Sequence, residues 1–90
     1  MATTMTTQER WLQCQLDQGM FSDEIAVTYP PEGAVKRSVF VPKSEVHGEP
    51  GKKGFVRVQV LRKPGAMIAI LPSPQSDIVA VNEQDVSVAP

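Results

Sequence analysis

The chain has 90 residues, 41% apolar and 21% charged, with a net charge of −1. These values fit one small globular domain with a modest core and leave no room for a second. One cysteine, Cys14, and one histidine, His47, exclude an intrachain disulfide and a tetrahedral zinc site built from such ligands.

A small domain without disulfides fits a reducing compartment. No apolar run approaches the roughly 18 residues of a membrane span. Residues 1–7 are polar, without the basic-then-apolar order of a signal peptide. The expectation is a cytoplasmic chain with no membrane partner. The charges are segregated: residues 36–63 carry a net +6 and the remainder −7. That asymmetry suits a basic binding face or head-to-tail self-association, and equally a solvated surface.

Residues 1–8 read as a flexible tail before a single domain over 9–90. In residues 11–16, Leu12, Cys14 and Leu16 alternate with Gln13 and Gln15, a strand pattern. Thr6 with Glu9 as a capping box, and Gly19 as a stop, would suit a helix instead. The β character of the remaining chain favours a strand. Residues 19–23 form a loop carrying Met20 and Phe21. Residues 24–29 form a second strand with Ile25, Val27 and Tyr29 on one face. Residues 30–33, Pro-Pro-Glu-Gly, make a turn. Residues 34–41 return as a third strand, with Val35, Val39 and Val41 on one face, and should pair with the second.

Residues 42–54, rich in glycine and proline, read as the longest loop. Residues 55–62 carry the clearest strand signal. Val56, Val58 and Val60 face one way, Phe55, Arg57 and Gln59 the other. Pro64–Gly65 suits the centre of a type II turn. Residues 66–71 are apolar on both faces, as in a central strand. Residues 78–81 and 86–88 close the chain as short strands around a turn at 82–85. No internal repeat shows in the sequence. The sum is an all-β chain: a small SH3-like barrel or roll of six to seven short antiparallel strands, since rolling protects sheet edges.

Three sets of residues carry functional expectations. Trp11, Met20, Phe21 and Phe40 are large apolar groups lying off the strand faces expected to be buried. They suit an apolar patch for a protein partner, or a second copy of the chain, as well as they suit plugs for the barrel ends. Lys52, Lys53, Phe55, Arg57, Arg62 and Lys63 form the second set. Loop lysines meet phosphates and an exposed aromatic stacks on a base, so nucleic acid is the alternative partner. An acidic overall balance and a lone aromatic weigh towards a solvated face. The third set is Cys14 with His47, the alternative of a cysteine-dependent enzyme, which needs a depressed thiol pKa. A buried, inert Cys14 is the simpler expectation. His47 with Glu45 and Glu49 makes a poor metal cage, and no paired carboxylates, phosphate-cradling loop or nucleophile elbow is present. The chain is therefore expected to be non-enzymatic, without metal or cofactor.

Residues 38–71 resemble the AbrB/MazE type of bacterial transition-state regulators and antitoxins. The residues carrying the likeness are Val39-Phe40-Val41-Pro42-Lys43, then Gly51, then the runs 55–61 and 67–71. The resemblance implies DNA binding. The stretch 44–47 is shorter than the helix that family places there. Residues 78–88 resemble the end of SH3-like barrels, where a strand, a one-turn kink and a short strand follow one another. That likeness bears on architecture alone.

Overall fold

In the computed structural model, residues 7–31 and 37–90 are described. They form eight antiparallel strands and no α-helix: β1 (Gln8–Gln18), β2 (Glu24–Tyr29), β3 (Arg37–Pro42), β4 (Val46–His47), β5 (Lys53–Lys63), β6 (Ala66–Ile70), β7 (Ile78–Ala80) and β8 (Val86–Ser87). Strand order is β3-β2-β1-β5-β6-β7, with β4 against β5 and β8 against β1. The sheet curls strongly into a half-barrel, as twisted strands of alternating burial do. Long β1 and β5 pair with Leu12 opposite Val56 and form the spine.

Alternation explains the core. Leu12, Cys14 and Leu16 from β1, Ile25, Val27 and Tyr29 from β2, and Val56, Val58 and Val60 from β5 all point inward. The 11–16 segment is therefore strand, because only a strand buries every second residue of that run. Gln8 already pairs with Val60, and Thr7 donates to Gln59. Of the tail expected at 1–8, residues 1–6 lie outside the described residues, as does the 32–36 part of the second turn and third strand. Gly65 adopts φ 73°, which the expected β5–β6 turn demands.

Residues 42–54 are not simply a loop. Lys43–Glu45 form a 3-10 turn, and β4 then pairs Val46 with Val56. Val46 packs against the core, so one apolar residue recruits a short strand from a stretch whose glycines and prolines read as irregular.

The strand registers also reveal a repeat that the sequence hides. β1 leads to β2 with Leu16 opposite Val27, and β5 leads to β6 with Val60 opposite Ala69. β3 and β7 follow, with Val27 opposite Val39 and Ala69 opposite Val79. Each half then makes a 3-10 turn, Lys43–Glu45 or Glu83–Asp85. Each finally sends a two-residue strand across to the other half's long strand: Val46 to Val56, and Val86 to Leu12. A pseudo-two-fold axis thus passes through the Leu12–Val56 pair. Every core residue has its counterpart, Cys14 with Val58 and Ile25 with Met67 among them.

The two halves are also tied by Tyr29. Its hydroxyl donates to Asp85 Oδ2 at 2.7 Å and accepts from the Asn82 backbone N–H at 3.1 Å. Tyr29→Phe is expected to cost about 1–3 kcal/mol by leaving both partners short of a bond, measured by urea unfolding. A cost near zero would show that water replaces the hydroxyl. Burial raises the Tyr29 pKa, and the Asp85 carboxylate adds to the rise against the Asn82 bond.

Candidate functional site

At the end of the spine where β1 turns into β2, the loop 19–23 is built to display side chains. Glu24 Oε1 accepts from the backbone N–H groups of Met20 at 3.0 Å and Phe21 at 3.2 Å. The Glu24 N–H donates back to the Phe21 carbonyl at 3.2 Å. A side chain at Gly19 would place a Cβ 2.5 Å from the Glu24 carbonyl oxygen, so the tight loop requires glycine there. With its backbone held inward, the loop leaves Met20 77% and Phe21 66% exposed.

Phe40 joins them from β3, 42% exposed, on the face opposite buried Val41. The facing wall is residues 73–77, which run directly into β7. Ser73 is buried and donates to Asp77 Oδ2 at 2.6 Å, while the Asp77 N–H donates to Ser73 Oγ at 3.0 Å. Ser76, at φ 51°, donates to the Ser73 carbonyl at 2.9 Å. These contacts fix a groove of about 470 Å³ between loop, strand and wall. Glu24 and Asp77 line it, and Asp23 lies in its continuation beside Phe40. β3 ends the sheet order on this side, so its outer backbone edge borders the groove.

No family model matches the chain, and no curated protein and no solved structure matches it. The candidate site therefore rests on its own geometry.

Three of the four expected patch residues converge in the groove, and none of the three plugs a barrel end. Trp11 stands apart. It lies on the outer face of the spine, opposite Arg57, whose guanidinium sits 5.2 Å from the Trp11 ring centroid. His47 meets the same ring edge-on at 6.4 Å. Sequence reasoning missed this cluster, because it depends on the β1–β5 register.

The basic set is strung along β5, with Lys53, Phe55, Arg57 and Lys63 on its outer face opposite buried Gly54, Val56, Val58 and Val60. Lys52 and Lys53 lie where β5 begins, Lys52 in an exposed ion pair with Glu49 at 3.4 Å. Arg62 and Lys63 lie where β5 ends, roughly 30 Å away at about 3.3 Å of rise per residue. Arg62 pairs with Glu83 at 3.3 Å. Between them Phe55 is half-buried, and Arg57 is engaged by Trp11 and, at 3.8 Å, by Glu45. Where the AbrB/MazE-type pattern has a helix, this chain has the 3-10 turn Lys43–Glu45.

Cys14 and His47 face opposite sides of the sheet. Cys14 pairs with Gly54 and is fully buried, whereas His47 pairs with Phe55 and is exposed. Glu45 and Glu49 have separate cationic partners, Arg57 and Lys52. Among the described residues, no group of three or more metal-ligating side chains comes together, and no helix is long and apolar enough to cross a membrane.

Burial pushes the Cys14 thiol from 9.0 up to about 12, away from nucleophilic thiolate. Alkylation of the folded chain at neutral pH is expected to follow unfolding, rising with denaturant. Rapid labelling without denaturant would contradict the burial. Because the folded pKa is the higher one, the buried thiol contributes stability that is complete below pH 9 and lost as pH rises towards 12. Cys14→Ala is expected to flatten part of that alkaline decline.

Proposed function

We propose that the chain is a non-enzymatic, cytoplasmic, SH3-like interaction module that recognises a protein partner at the groove bounded by Met20, Phe21 and Phe40. One observation carries this reading. Three large apolar side chains, each exposed, line one groove, whose loop and facing wall are each held by their own hydrogen bonds. A contiguous exposed apolar surface beside carboxylates marks a recognition site more often than a solvated one. Among the described residues no strand pairs with the outer edge of β3, and its backbone donors and acceptors suit a partner presenting an extended segment.

Affinity capture from the cells that make the protein tests this, with the wild type compared against a Phe21→Ser/Phe40→Ser double variant. Both residues are exposed, so the fold should persist. The captured partner is expected to disappear from the double variant. The same partner retained at the same yield would refute the groove as the recognition surface.

A further inference from the structure

The groove has a counterpart at the other end of the molecule. β1 and β5 are antiparallel, so the turn after β1 and the turn after β5 lie at opposite ends of the spine. The pseudo-two-fold axis exchanges them. Their shapes and charges differ, however. The first end is a groove, apolar at Phe21 and Phe40 and acidic at Asp23, Glu24 and Asp77. The second is the projecting tip of the β5–β6 hairpin, where Arg62, Lys63, Pro64 and Gly65 are all exposed.

We infer that the chain associates head to tail with further copies of itself, the basic hairpin tip of one copy seating in the acid-rimmed groove of the next. This rests on the groove being the recognition surface and names its occupant. Charge complementarity selects that occupant: the tip presents the cations Arg62 and Lys63, and the groove is bordered by the carboxylates of Asp23, Glu24 and Asp77. Complementary charge both steers encounter and fixes orientation. The Arg62–Glu83 pair is no obstacle, because an exposed ion pair contributes little and exchanges readily. Pro64 and the aliphatic stems of Arg62 and Lys63 supply apolar surface to Phe21 and Phe40. A contact between two different surfaces at opposite ends does not close on itself as a pair, so it builds rings or filaments.

Sedimentation of the full chain over a range of concentrations tests this. The average mass is expected to rise past that of a dimer. It should fall back towards monomer between about 0.1 M and about 1 M salt, where the screening length drops from about 10 Å to about 3 Å. Phe21→Ser, which disables the groove, and Lys63→Glu, which disables the tip, are each expected to be monomeric. Both positions are exposed, so unchanged melting temperatures will show that the variants fold. Mixed in equal amounts, the two variants should recover a dimer and nothing larger, since one intact groove and one intact tip remain. A monomer at every concentration, or an assembly that either variant alone still forms, overturns the inference. A monomeric chain whose captured partner is nevertheless lost on Phe21→Ser/Phe40→Ser would end this inference and leave the groove reading standing.

Discussion

Replacing Leu12 by alanine is expected to destabilise the domain by about 2–5 kcal/mol, more than any surface change. Leu12 is fully buried and sits where three strands meet, opposite Val56 of β5 and Val86 of β8. It also lies on the pseudo-two-fold axis, so the cavity left by truncation would border both halves. Neighbouring valines are too short and too stiff at χ1 to collapse into it. A domain of this size has a total stability near the lower end of about 5–15 kcal/mol, so a substantial unfolded fraction is expected at 37 °C. Urea unfolding should show a lower midpoint with an unchanged slope. A loss below about 1 kcal/mol would mean that the site is not enclosed as described.

The second large effect is expected at Gly54. This residue is buried on β5 opposite Cys14. A Cβ there would lie 2.5 Å from Leu16 Cδ1 and 2.6 Å from the His47 carbonyl oxygen. Leu16 has no room to move, being itself fully buried, and the carbonyl belongs to β4. Gly54→Ala gains about 0.4–1 kcal/mol by restricting the unfolded chain. Against this, overpacking and displacement of β4 cost about 1–3 kcal/mol. The clash is with backbone on one side and core on the other, so the cost is expected to prevail. The variant should melt several degrees lower, by roughly 4–8 °C for each kcal/mol lost. A rise in melting temperature would show that β4 yields freely. Gly51, with φ 89° and nothing within 4 Å of a built Cβ, is the useful contrast: its substitution strains the backbone without disturbing the core.

The valine-rich runs made most of this fold legible. Val56, Val58 and Val60 announce both the strand and its buried face, and Pro64–Gly65 announces the reversal that follows. What stayed hidden depends on partners distant in sequence. β4 exists because Val46 finds Val56 and the core, a tertiary gain that overrides the local composition of 42–54. The two-fold repeat is invisible because counterparts share only apolar character. Tyr29 answers to Leu71 and Phe40 to Ala80, and turns of unequal length shift the alignment between halves. Met20, Phe21 and Phe40 were recognisable as apolar residues off the buried faces. Their convergence was not, because it depends on the Glu24 carboxylate folding the loop and on residues 73–77 supplying the opposite wall. Trp11 shares with them an apolar side chain off the buried face, but strand register sends it to Arg57.

Hydrogen exchange, comparing the dilute chain with its captured or concentrated complex, addresses the recognition surface most directly. Amides of the 19–24 loop and of β3 are expected to slow on association, while those near Trp11, Phe55 and Arg57 keep their rates. Protection confined to the outer face of the β1–β5 spine, with loop and β3 unchanged, would contradict the account.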